Sequence, residues 1–154
     1  MTATKLKAFL ERHDVKYETI THSPTYTAPE TAQSAHVSGR DFAKTVIVER
    51  DTGLAMVVLP ADRKIVLSDL REMLADEELK LASEGDFVAR FPDCEAGAMP
   101  PFGNLYGLPV YVARGLADEP EIAFNAGTHR DVIKMSFADF ERLVQPIVLE
   151  FATI

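Results

Sequence analysis

Two runs dominate what this chain can become. Ala43–Val48 and Leu54–Leu59 are apolar and rich in β-branched residues, and the connection between them, Glu49-Arg-Asp-Thr-Gly53, is polar and ends on glycine. Strand formers on both sides of such a connection specify a hairpin. They make the best antiparallel pair in the sequence, and the rest of the fold has to be built around it.

The flanking segments supply both helices and further strands. Leu6, Phe9 and Leu10 recur at helical spacing within Thr4–Arg12, and Val15–Ile20 then alternates as a strand. Thr27-Ala-Pro-Glu30 has the form of a helix start, with a Thr cap, Pro in the first turn and Glu placed to close a capping box; this helix is expected to run to about His36. Ser68 and Ser83 open two more short helices, the second carrying Phe87, Val88 and Phe91, with a short strand at Leu79–Leu81 between them. Residues 92–109 hold four prolines and three glycines and read as loop. Val110–Val112, Glu121–Phe124 and Asp131–Met135 read as strands, and Ser136 caps a last helix bearing Phe137, Phe140 and Leu143. Strands and helices do not alternate regularly, which predicts a mixed, largely antiparallel α+β domain rather than a doubly wound parallel sheet.

Composition bounds the function. With 154 residues, 47% of them hydrophobic and 26% charged, the chain suits a single domain over 1–154. No apolar run reaches membrane-spanning length and the start, Met1-Thr-Ala-Thr-Lys-Leu-Lys7, lacks a signal-peptide core, so a cytoplasmic protein with no membrane partner is expected. A net charge of −8 argues against broad phosphate neutralisation, and so against a general DNA binder, while leaving room for contact with one nucleic-acid end. Cys94 is the sole cysteine, which excludes an internal disulfide and a thiolate cluster. His13, His22 and His36 show no paired ligand spacing, so neither a metal nor another cofactor is expected.

Three segments carry chemistry. Lys44 stands at the entrance of the first hairpin strand, where an ammonium must either snorkel to water or serve a site; taken alone, the first reading is the better one. Gly97-Ala-Met-Pro-Pro-Phe-Gly103 mixes residues that fix φ with residues that free it, a composition suited to the lip of a pocket and also to a plain connection. It lacks the spacing of a phosphate loop. In Asn125-Ala-Gly-Thr-His129, Gly127 can turn the chain and His129 can project at a strand end. No GxSxG elbow accompanies any serine, and the carboxylates beside Cys94 raise its thiol pKa, so nucleophilic catalysis is not indicated.

In that order, Ala43-Lys44-Thr45-Val46-Ile47-Val48, the Gly97–Gly103 loop and Gly127-Thr128-His129 resemble the YbaK family of aminoacyl-tRNA editing proteins, which includes the editing insertion of bacterial prolyl-tRNA synthetases. The resemblance runs from His22-Ser-Pro-Thr-Tyr26 to the final helix. It implies an α+β fold with a mixed, mostly antiparallel, barrel-like sheet surrounded by short helices, and hydrolysis of the ester between a wrong amino acid and tRNA, typically the proline tRNA. It places Lys44 and His129 as catalytic residues. Tyr26, Thr45, Gly97, Ala98, Met99, Pro100, Pro101, Phe102, Gly103, Gly127 and Thr128 become the residues that bind substrate.

The chemistry fits without a dedicated nucleophile. An aminoacyl ester is already activated, so positioned water and a stabilised oxyanion suffice, with backbone amides of the Gly97–Gly103 loop as donors. Lys44 suits the terminal adenosine as a point charge. The family resemblance further implies that the 2′-hydroxyl of the terminal ribose helps activate water, which would leave His129 to shape the pocket or hold that water. Bulk at Met99-Pro-Pro-Phe102 selects a small acyl group; alanine is the natural candidate, with serine, cysteine and aminobutyrate close behind. The partners expected are the aminoacylated 3′ end of tRNA and, for its delivery, prolyl-tRNA synthetase or an elongation factor. The alternative is a non-catalytic binding or regulatory module on the same fold.

Overall fold

A computed structural model describes residues 3–25 and 27–154. The N-terminal half contains α1 (Thr4–Arg12), β1 (Tyr17–Thr21), α2 (Ala28–Ser34), β2 (Phe42–Arg50), β3 (Gly53–Pro60), β4 (Lys64–Ile65) and α3 (Leu67–Met73). Then come β5 (Lys80–Leu81), α4 (Glu84–Phe87), β6 (Val110–Ala113), α5 (Arg114–Ala117), β7 (Glu121–Asn125), β8 (Asp131–Ser136), α6 (Phe137–Val144), β9 (Ile147–Leu149) and β10 (Ala152–Thr153).

β2 and β3 form the expected hairpin, paired from Ala43↔Pro60 to Arg50↔Gly53. The turn is tighter than the sequence indicated. Polar partners draw the strands out to its rim: Arg50 donates to the Tyr111 hydroxyl at 2.6 Å and Asp51 N–H to the Asp76 carboxylate at 3.0 Å. Gly53 takes φ +124°, a conformation open to glycine and strained for L side chains.

The hairpin seeds an eight-stranded mixed sheet of order β1-β8-β7-β2-β3-β6-β9, with β5 attached to β2. The β1–β8, β7–β8, β2–β3 and β2–β5 pairings are antiparallel; β2–β7, β3–β6 and β6–β9 are parallel. The fold class read from the sequence is the one observed. β3 is buried on both faces. Met56 and Val58 join a large core with Phe102, Phe124 and Phe140, while Ala55, Val57 and Leu59 face a second core with Leu70, Tyr111 and Phe151. This is why it reads as an unbroken apolar run rather than an alternating one.

Caps hold α2 and α6 where the sequence signalled them, whereas Ser68, expected to open α3, lies inside it, and the N-cap there is Val66 with no capping side chain. The Thr27 hydroxyl accepts from Glu30 N–H and donates to the Glu30 carboxylate, and the Ser136 hydroxyl accepts from Asp139 N–H. α2 ends at Ser34, short of the expected His36, which has left-handed φ +58°. The helix expected from Ser83 is one turn, α4, followed by 3-10 geometry at Val88–Arg90. β4, α5, β9 and β10 carried no usable sequence signal. No helix among the described residues is long and apolar enough to cross a membrane.

One feature of the sheet makes the site. β2 shares its edge between two partners: β7 pairs only at Phe42↔Ala123 and Ala43↔Phe124, and β5 takes up the same edge at Val48↔Leu81 and Glu49↔Lys80. Between them, β2 and β7 part at Lys44 and Asn125.

Candidate active site

A cavity of about 180 Å³ lies at this parting. β2 gives it Ala43, Lys44 and Thr45, and β7 gives Asn125. Thr27, Ala28 and Thr31 of α2 and its cap close one side, and Gly97, Met99 and His129 close the other.

Lys44 is half-buried. Its ammonium donates to the Arg63 carbonyl at 2.6 Å, in the turn after β3. Among the described residues no carboxylate lies within ion-pair distance of it. Burial lowers its pKa from the ordinary lysine value, opposed by the Asp62 charge and assisted by Lys64. An ammonium held against a carbonyl, with no carboxylate in ion-pair distance among the described residues, is a ready anchor for an anionic or hydroxyl-rich group.

His129 is fixed from several directions. Its backbone N–H donates to the Glu95 carboxylate at 2.6 Å, and its ring Nε2 lies 2.8 Å from the Ala96 carbonyl. A carbonyl only accepts, so Nε2 carries the proton. Two more bonds lace the turn to the loop: Glu95 N–H to the Gly127 carbonyl at 2.7 Å and Gly127 N–H to the Ala98 carbonyl at 2.9 Å. Gly97, at φ +82°, passes so close to the ring that a Cβ there would sit 3.5 Å from His129 Cε1. The Pro/Gly loop and the glycine-histidine turn are therefore one structural unit.

The structure brings Lys44, Thr45, Gly97, Met99 and His129 together at the cavity. Other residues named from the sequence support it from behind. Phe102 is wholly buried, its ring 5.5 Å from those of Phe124 and Phe140, so it is core rather than lip. Ala98, Pro100, Pro101 and Gly103 are buried beside it, and a Cβ on Gly103 would lie 2.8 Å from the Leu108 carbonyl oxygen. Gly127 and Thr128 shape the turn, the Thr128 hydroxyl donating to Asp131 at 2.7 Å and accepting from the Arg130 and Asp131 amides. Tyr26 lies outside the described residues. Sequence reasoning missed Thr27, Thr31 and Asn125. Asn125 had a signal: it is the polar first residue of the Asn125–His129 segment that was singled out, following the apolar strand Glu121–Phe124.

Cys94 is no nucleophile. Burial pushes its thiol up to about 11, with the neighbouring Asp93 charge adding to the rise against a lowering hydrogen bond with Tyr106. The direction matches the sequence expectation, although desolvation, rather than the adjacent carboxylates, is the larger cause. Two wider grooves, of about 580 and 820 Å³, offer less chemistry. In the first, Arg40 and Arg114 are already matched by Glu119 and Glu150 at 3.3 and 3.7 Å; the second is lined mainly by carboxylates, among them Glu72, Glu77 and Glu78.

Comparison with known proteins supplies the family. Residues 22–143 match the family described as the aminoacyl-tRNA editing domain. The multifunctional Ser/Thr-tRNA deacylase ProXp-y of Escherichia coli (strain K12) is 27% identical over 157 residues, covering 98% of this chain and 93% of the relative. Among solved structures, a proposed trans-editing enzyme for prolyl tRNA synthetase superposes with a TM-score of 0.83 at 21% identity, over 99% of this chain and 97% of the other. Hypothetical protein APE2540 gives a TM-score of 0.86 at 20% identity, over 97% and 99%. These two establish a shared fold. The chain belongs to the aminoacyl-tRNA editing domain family, and is a hydrolase that acts on the aminoacyl-tRNA ester.

Proposed function

We propose that the chain is a trans-editing deacylase that clears a small wrong amino acid from the proline tRNA, with seryl and threonyl esters as its first substrates and the alanyl ester as a slower one. The observation that carries the reading is the convergence of Lys44, Gly97 and His129 on a cavity of about 180 Å³ that, among the described residues, no serine or cysteine lines. Such a site suits an ester that needs only water, orientation and charge stabilisation.

In this mechanism Lys44 holds the terminal adenosine through phosphate or sugar, and the acyl group enters between Thr45, Met99 and Asn125. Water adds to the ester carbonyl, the backbone amides of Gly97 and Met99 stabilise the oxyanion while that of Ala98 donates to the Glu95 carbonyl at 3.0 Å, and the tetrahedral intermediate collapses. The bond to the ribose oxygen breaks, and that oxygen leaves with a proton. The terminal 2′-hydroxyl assists the attacking water, and His129, its ring tied to Ala96, holds one wall in place. The family relative from Escherichia coli, described as acting on Ser/Thr-tRNA, supports the acyl preference. A chain of net charge −8 holds tRNA weakly by itself, which favours delivery by prolyl-tRNA synthetase or an elongation factor.

The test charges the proline tRNA separately with serine, threonine, alanine, cysteine and proline and follows ester loss for the unaltered chain and Lys44→Ala. We expect loss of the small esters, retention of the prolyl ester, and at least ~100-fold slower hydrolysis in the variant, the scale on which removing one transition-state-stabilising group acts. No hydrolysis of any ester overturns the deacylase reading. Full activity of the variant removes Lys44 from the mechanism.

A further inference from the structure

Lys44 does not stand alone at the mouth of the cavity. The Arg63 carbonyl that holds its ammonium at 2.6 Å belongs to the peptide unit leading into Lys64, so the contact sets the Lys44 ammonium against the backbone of a second lysine. The two charges sense each other: Lys64 is among the groups that lower the Lys44 pKa. Lys64 opens β4, which pairs with β10 at Lys64↔Thr153 and Ile65↔Ala152. Ile65 packs against the core that holds Leu70 and Phe151, so strand alternation turns Lys64 the other way, where it is exposed.

The nearby carboxylate is already engaged. Asp62 lies 3.4 Å from the Arg63 guanidinium, and among the described residues no carboxylate comes within ion-pair distance of Lys44 or Lys64. Lys44, Arg63 and Lys64 against Asp62 leave three positive charges less one negative, a local +2 on a chain of net charge −8. Two neighbouring ammoniums repel, and an arriving anion relieves both. The groove of about 580 Å³ that Arg63 also lines has no such excess: three arginines there face five carboxylates, and Lys64 does not line it.

The substrate of the deacylase reading brings the matching charge. Its terminal adenosine is assigned to Lys44, and the single strand behind that nucleotide carries a phosphate at every step. We infer that Lys64 binds the phosphodiester next upstream of the terminal adenosine, so that Lys44 and Lys64 together set the direction in which the tRNA 3′ end leaves the cavity. The inference rests on the deacylase reading above and adds a positioning residue to it. A phosphate contact fixes register without reading sequence, so Lys64 serves the 3′ end of any tRNA and leaves the choice of the proline tRNA to other contacts.

The experiment titrates an uncharged acceptor-stem RNA with its single-stranded 3′ end against the unaltered chain, Lys64→Ala, Lys64→Arg and Arg142→Ala, by fluorescence anisotropy over a series of KCl concentrations. Arg142, on α6, does not line the cavity and controls for overall charge. Lys64→Ala is expected to weaken binding about threefold to fivefold at low salt, the upper range for one exposed ion pair. The slope of log K against log salt should shrink by about 0.7, the share of one single-strand phosphate. Lys64→Arg, which keeps the charge, should stay within about twofold, and Arg142→Ala should keep the slope. In parallel, kcat/KM is measured for seryl-tRNA and for 3′-seryl adenosine, an ester with no phosphate; Lys64→Ala should lower the ratio of the two by the same factor as binding. An unchanged slope in Lys64→Ala, an equal drop in Arg142→Ala, or equal losses on both esters overturns the inference and leaves the deacylase reading intact. If the unaltered chain hydrolyses no ester, the deacylase reading falls, while the slope still decides whether Lys64 meets a phosphate.

Discussion

Gly127 offers the sharpest test of how the site is held. It sits at φ +100°, and a Cβ built there would meet Ala3 Cβ at 2.6 Å, Ala3 N at 3.1 Å and Ala3 Cα at 3.2 Å. Ala3 is itself 2% exposed and donates its N–H to the Ala126 carbonyl at 2.7 Å, so it cannot yield freely. Gly127→Ala therefore incurs two costs: about 1–2 kcal/mol for an L residue at positive φ, and about 1–3 kcal/mol for overpacking. The sum, about 2–5 kcal/mol, lowers the melting temperature by roughly 4–20 °C in a protein of this size. Ala3→Gly alone costs about 1 kcal/mol for a lost buried methyl. In the double variant the 2.6 Å clash is gone while the strained φ persists, so the combined loss falls short of the sum by about 1–2 kcal/mol. Denaturant unfolding of the four proteins measures this coupling. Strict additivity would refute the reading that Ala3, the N-cap residue of α1, packs against the turn carrying His129.

Two further outcomes follow from charge. Burial disfavours the Lys44 ammonium, so its folded pKa lies below the ordinary lysine value; KM should rise as pH climbs through that lowered pKa, while Lys44→Ala shows no such limb. A KM independent of pH up to the ordinary lysine range would exclude charge-based anchoring. With its thiol near 11, Cys94 should alkylate at pH 8 about 100-fold more slowly than in the unfolded chain, as mass spectrometry of iodoacetamide-treated samples would show. Equal rates in folded and unfolded protein would contradict the burial assigned to it.

What the sequence made legible was local. The hairpin, the Thr27 and Ser136 caps and the strand read at Glu121–Phe124, observed as Glu121–Asn125, rest on patterns spanning a few residues, and they appear where those patterns stand. Lys44 and His129 stood out as unusual types beside apolar strands, but only the family resemblance gave them an expected role. The hidden parts are tertiary. Nothing in Val46-Ile47-Val48 says that β2 exchanges β7 for β5 along one edge, and nothing in Thr31 says that α2 will dock as a pocket wall. Phe102 misled for a related reason: proline and glycine neighbours make a loop, and only the surrounding rings make that loop part of the core. β9 and β10 are too short for periodicity to register and depend on the strands they meet.

The parting of β2 from β7 also bears on how fast and how tightly a substrate can be taken. Because the opening is a gap between two strands already anchored elsewhere in one sheet, its width is set when the protein folds rather than when a ligand arrives. Among the described residues no backbone ladder has to break for entry, so little binding energy is diverted to reorganisation there. The same rigidity confines adaptation to the side chains: a change of acyl preference in this architecture comes from exchanging residues on fixed walls, not from moving the walls.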